Sequence, residues 1–263
     1  MWRGLVIFWL FSFYLSSNVF GQEIDTISTN SADTVRKENI VTISKKEGVN
    51  VTQFIVPSIL IGYGFASVYD KGALKELDRS TKHELQEDHP RFAYRVDDYS
   101  QFFPAIAVYG LNLAGVKGKN DLFDATMLYV TSAAIMGLST HVVKRTVGRQ
   151  RPGSLSFNSF PSGHTASAFA AAEFLHQEFK DTSPWIGYGG YLVAGATGAL
   201  RMYNNKHWFS DVVAGAGFGI LSTKLGYLVY PQLKKLIGGQ KENLNVSPIY
   251  QQGQLGYRIA YKL

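Results

Sequence analysis

Apolar residues gather in six stretches, at about 54–69, 102–116, 122–143, 165–179, 185–200 and 212–230, with polar and charged segments between them. The last five are rich in Ala, Gly, Leu and Val, small residues that let helix backbones approach closely in a bilayer or a tight bundle. The pattern predicts an all-α protein: a compact, membrane-associated bundle of about five to six apolar helices. The first stretch, FIVPSILIGYGFASVY, is interrupted by Pro57, Gly62 and Gly64. Residues 70–100 are charged and read as amphipathic helix plus loop. Residues 1–21 pair Arg3 with an apolar run from Leu5 to Leu15 and a small-residue site at Gly21, the pattern of a signal peptide. A retained anchor is the alternative, although the run is short for a span. Residues 22–53 form a polar leader without apolar periodicity. The helical domain is expected over 54–235, with its chemistry-bearing core at 100–230. In the tail, 236–263, Tyr257, Ile259, Tyr261 and Leu263 alternate with Arg258, Ala260 and Lys262. That period of two reads either as a short β-hairpin around Gln252-Gly253 or as a loose tail.

Composition adjusts this picture. The 46% hydrophobic fraction is ample for a core, yet the mean hydropathy of −0.04 points to helices partly buried against one another rather than long lipid-facing spans. The chain has no cysteine, which excludes disulfides, thiolate metal sites and a cysteine nucleophile. A net charge of +6 suits an anionic partner, either a phosphate ester or an anionic membrane surface. There is no long Lys/Arg block and no nucleic-acid-binding motif, so nucleic acid is not expected as a partner.

Three polar blocks lie between the helices: KRTVGRQRP at 144–152, FPSGH at 160–164, and RMYNNKHWFSD at 201–211. Lys144, Arg151 and Arg201 are cations able to surround one phosphoryl group, the arginines with a planar fork matched to oxyanions. Ser162 and Gly163 open a helix, whose free N–H groups and dipole favour an anion there. His207 and Asp211, four apart, share one helix face. A carboxylate in that position orients the imidazole and leaves its other nitrogen free to attack. His164 is a second histidine able to protonate a leaving oxygen.

Together the blocks resemble the type 2 phosphatidic acid phosphatase superfamily, which also contains class A bacterial acid phosphatases and vanadium haloperoxidases. Its pattern is Lys-six-Arg-Pro, Pro-Ser-Gly-His and Ser-Arg-five-His-three-Asp. Every fixed position matches except Leu200, where the family usually has Ser. The resemblance covers about residues 100–230. It implies that Lys144, Arg151, Arg201, Ser162 and Gly163 bind phosphate. It also implies that His207 is the nucleophile, oriented by Asp211, with His164 as general acid and with no metal or cofactor required.

The function expected on these grounds is removal of phosphate or pyrophosphate from a lipid through a phosphohistidine. Candidate substrates are lipid A, undecaprenyl pyrophosphate, phosphatidate and phosphatidylglycerol phosphate. A soluble periplasmic acid phosphatase is the alternative, and a non-catalytic envelope phosphate-binding protein is a third reading. The site is expected to face the periplasm from the bacterial inner membrane. Parity of the spans then requires that 54–69 does not cross. His83, His89, His141 and His176 read as structural or surface residues. Arg145 and Arg149 read as solvated or headgroup-facing. Asp97-Asp98 reads first as first-turn charge on the following helix and second as an influence on substrate choice.

Overall fold

The computed structural model describes residues 50–90, 92–238, 244–251 and 254–261; the side chains beyond Leu236 are outside it, as are residues 1–21, read above as a signal peptide, nearly all of the leader, and Gln252-Gly253, where the hairpin turn was expected. Eight α-helices occur among the described residues. A 3₁₀ turn, Val51–Phe54, leads into α1, Ile55–Tyr69. Then come α2, Ala73–Asp88, the short α3, Asp97–Ser100, and α4, Phe103–Leu113. The long α5 is Leu122–Val147, α6 is Gly163–Phe179, α7 is Pro184–Tyr203 and α8 is Phe209–Gly238. The six apolar helices α1 and α4–α8 form the bundle. Beyond it, β1, Leu244–Gln251, pairs antiparallel with β2, Gln254–Tyr261, placing Val246 opposite Ile259.

Helix ends follow local chemistry. The Asp121 side chain caps α5 by accepting from Asp124 N at 2.9 Å. The helix ends at Gly148, whose φ of 57° turns the chain out, so Lys144 sits in its last turn. Helix α7 runs on to Tyr203 and puts Arg201 in its last turn.

Close packing sets the helix directions. Ser132 of α5 meets Gly226 of α8, and Asp124 accepts from Tyr230 at 2.7 Å, so α5 and α8 are antiparallel. Gly64 of α1 meets Ala214 of α8, and Gly217 meets Pro57 and Ile61, so α1 is also antiparallel to α8. Helix α6 runs beside α8 in the same direction, with Thr223 donating to Ala170 O at 3.1 Å. A Cβ on Gly215 would come within 2.6 Å of Ser162 O, so only glycine lets α8 press against the start of α6. The C-terminal ends of α1, α5 and α7 therefore meet the N-terminal ends of α6 and α8 at one end of the bundle. All three polar blocks lie at this end.

The opposite end is tied by buried polar groups. Glu173, 1% exposed, accepts from Lys224 at 2.8 Å and from Tyr191. Glu178, 2% exposed, accepts from Asn120 Nδ2 at 2.7 Å and from Tyr227. Apolar packing fills the space between, with Val108, Ala171, Phe174 and Phe179 buried together and Phe174 stacked on Tyr129 at 4.9 Å.

Three helical segments are long and apolar enough to cross a membrane: Val51–Tyr69, Leu122–Val147 and Phe209–Leu236. They mark a membrane protein. The first departs from the expectation that 54–69 stays out of the bilayer. Pro57 falls in the first turn of α1, where its missing N–H costs no hydrogen bond. Gly64 serves packing against α8 rather than interrupting the helix. With the 3₁₀ turn, the 19-residue segment reaches roughly 30 Å, the depth of a hydrocarbon core.

Candidate active site

The bundle end brings the eight residues singled out from the sequence into one cluster. Ser162 caps α6, its hydroxyl accepting from Thr165 N at 3.4 Å, while Ser162 N donates to Asp211 O at 3.0 Å and ties the start of α6 to the start of α8. Gly163 follows, and a Cβ there would touch Lys144 Cε at 3.8 Å. The lysine stem thus lies beside the first turn of α6. Lys144 Nζ donates to Asn158 O at 2.9 Å and to Pro161 O. Arg151 is set by its own N–H on Ser156 O and by Nε on Asn158 Oδ1, at 2.9 and 2.8 Å. Lys144, Arg151 and Arg201 all feel one another's charge. Three cations held this close repel, and an anion between them relieves that repulsion.

His207 is 3% exposed and precedes the start of α8 at Phe209, so, contrary to expectation, it does not share a helix face with Asp211. Its Nδ1 lies 3.6 Å from Asp211 Oδ2, too long for a hydrogen bond. Burial pushes the imidazole down to about 4, with Lys144 and Arg151 adding to the effect and Asp211 opposing it. His207 is therefore neutral at neutral pH, with a lone pair available. Its Nδ1 and Arg201 Nε are buried polar atoms without a hydrogen-bond partner. His164 sits at the mouth, Nε2 3.1 Å from Asp98 Oδ1. Burial and the Arg201 charge hold its imidazole below the usual histidine value, and Asp98 opposes them.

Several partners were not expected from the sequence. Arg149 is not solvated. Its side chain is 14% exposed, with Nη1 2.7 Å from Asp211 Oδ1 and Nη2 2.6 Å from Asp78 Oδ2. Asp97, 1% exposed, pairs with Arg201, and Asp98 lies 3.6 Å from the same guanidinium. The carboxylates read first as helix-start charge thus reach the site. Ser159 donates to Asp211 Oδ2 and Trp208 N does so at 2.9 Å, which completes the carboxylate's partners. Among the described residues no group of three His, Asp or Glu side chains is arranged to hold a metal ion.

Residues 125–235 match the PAP2 superfamily. This stretch is a PAP2 domain. The chain is 40% identical over 139 residues to a lipid A 1-phosphatase of Porphyromonas gingivalis, covering 52% of this chain and 31% of that one. It is 28% identical to a probable diacylglycerol pyrophosphate phosphatase 1 of Schizosaccharomyces pombe, covering 50% of this chain and 61% of that one. The chain therefore spans less than two thirds of the length of either curated relative. A crystal structure of a transmembrane PAP2-type phosphatidylglycerolphosphate phosphatase from Bacillus subtilis is similar at a TM-score of 0.45 and 18% identity, over 70% of this chain and 97% of that one. The PAP2 domain holds Lys144, Arg149, Arg151, Ser162, Gly163, His164, Arg201, His207 and Asp211. The carboxylates of Asp78, Asp97 and Asp98 come to it from α2 and α3, outside the matched stretch.

Proposed function

We propose that the protein is a lipid phosphatase that works through a phosphohistidine at His207. The observation that carries this reading is a buried, neutral imidazole placed among Lys144 and Arg151, with Asp211 behind it. The free ring nitrogen attacks phosphorus, the bond from phosphorus to the lipid oxygen breaks, and His164 supplies the proton that the departing alkoxide needs. Water then attacks the phosphoryl-imidazole, His164 takes a proton from it, the P–N bond breaks and inorganic phosphate leaves. Lys144, Arg151, Arg201 and the first turn of α6, capped by Ser162 and opened by Gly163, carry the charge that gathers on the equatorial oxygens.

Three span-length helices support a membrane lipid as substrate, because the phosphate of a bilayer lipid sits at the edge where this cluster lies. The relative named lipid A 1-phosphatase makes lipid A the first substrate to try. Phosphate release by purified protein should be highest on one lipid of a panel containing lipid A, undecaprenyl pyrophosphate, phosphatidate and phosphatidylglycerol phosphate, and lower on a soluble ester. A preference for the soluble ester would overturn the lipid reading. Activity should persist in excess chelator, since the cradle is built of side-chain cations and a helix end, and orthovanadate should inhibit. Loss of activity with EDTA and recovery with Mg²⁺ would contradict that part.

For localisation we propose the inner membrane with the site at the periplasmic surface. Lys117, Lys119, Lys180 and Lys234 then fall at the cytoplasmic end, in keeping with the bias of positive charge towards that side. Because α1 runs from that end towards the site, Val51 would stand on the cytoplasmic side, and this proposal gives up the export of the leader that a signal peptide at 1–21 implies. Leu155, 84% exposed and outside the charge cluster, is a suitable probe position in a cysteine-free chain. A cysteine in its place should react with a membrane-impermeant maleimide on intact spheroplasts. Reaction only after lysis would put the site on the cytoplasmic face.

A further inference from the structure

Helix α2 lies outside the PAP2 stretch, and its charged sequence suggests no more than an amphipathic surface helix. Its inward face, however, is polar and evenly spaced. Asp78, Lys82 and Gln86 are four residues apart, which places them in one row along the helix. Each grips a segment that carries site residues. Asp78, 1% exposed, accepts from Arg149 Nη2 at 2.6 Å, from Ser210 N at 2.9 Å and from Ser210 Oγ at 2.7 Å. Lys82 Nζ donates to Pro152 O at 2.8 Å and stands 5.4 Å from the centre of the Trp208 ring. Gln86 Nε2 donates to Tyr203 O at 3.1 Å. Ser67 of α1 adds a bond to Asp78 at 2.9 Å. The neighbouring Arg79, His83 and Glu87 are exposed, so the contacts belong to one face.

We infer that α2 is a strap that sets the spacing between the first and third catalytic blocks, with Asp78 and Lys82 as positioning residues for the proposed phosphatase reaction. The two act on different parts of it. Asp78 holds Arg149, and Arg149 Nη1 holds Asp211 Oδ1, so the chain of contacts ends on the carboxylate behind His207. Removing the Asp78 charge leaves Arg149 with Asp211 as its one charged partner, beside the Ser210 hydroxyl, and lets that carboxylate shift away from the imidazole. Lys82 instead fixes the carbonyl next to Arg151, one of the phosphate-binding cations. Loss of that bond loosens the grip on the phosphoryl group and leaves the nucleophile in place. A strap of this kind predicts a split that general destabilisation does not.

The test uses the full chain in detergent, with a lipid phosphate turned over by the wild type. Asp78→Asn should lower kcat by about ten- to a hundredfold, the equivalent of one charge-assisted hydrogen bond, with KM nearly unchanged. Lys82→Met should raise KM several-fold and leave kcat within about twofold. Lys82→Met should also speed amide exchange across 150–158 without speeding it in α5. Kinetic constants that do not change in either variant, or that fall together with the melting temperature, would overturn the strap. If the wild type releases phosphate from no ester, the phosphatase reading fails instead. The amide-exchange comparison then judges the strap alone, and unchanged exchange at 150–158 rejects it.

Discussion

His207→Ala should abolish phosphate release from every ester while the helix content and melting temperature stay close to wild type. The imidazole is buried, yet its ring makes no hydrogen bond through Nδ1, so its removal breaks no network. Asp211 keeps Arg149, Ser159 and the Trp208 N–H as partners in the variant. Chemistry has no such reserve. His164 is paired with Asp98 at the mouth, and the other groups at the site are protonated cations or carboxylates engaged by donors. Residual turnover near that of wild type would mean that water attacks phosphorus directly.

His164→Ala should come next in severity. Loss of a general acid typically costs about 10²–10⁴ in rate. The cost should depend on the leaving group. A lipid alkoxide is a poor leaving group and needs the proton, whereas nitrophenolate departs without one. Comparison of phosphatidate with p-nitrophenyl phosphate should therefore show a much larger loss on the lipid. Equal losses on both would assign His164 to phosphate binding instead. Burial and the Arg201 charge hold the His164 imidazole below the usual histidine value against the pull of Asp98, so its protonated, acid form gains as pH falls.

Local features made much of this architecture legible. Apolar stretches rich in small residues marked the six bundle helices, and three short motifs marked the eight residues that the bundle end brings together. Such features survive in sequence because they are short-range spacings: His207 just before the start of α8 and Asp211 in its first turn, Ser162 and Gly163 at a helix start. Arg149 was misread, and Asp97, a first-turn charge as expected, was only half read, for the opposite reason. Each looks like a surface charge until α2 and α3 are folded over the loops, and their partners are 71 and 104 positions away in the chain. Asp78 left one trace, the four-residue spacing to Lys82 and Gln86, which an eye set for apolar periodicity passes over.

The most direct test of the account is to look for the covalent intermediate. Purified protein should be mixed with a ³²P-labelled lipid phosphate and quenched with alkali within the first turnover. The account predicts label on the chain that survives base and is lost in acid, as a phosphoramidate bond requires, at His207 and absent from His207→Ala. Turnover without protein-bound label, or label on a residue other than His207, would contradict it.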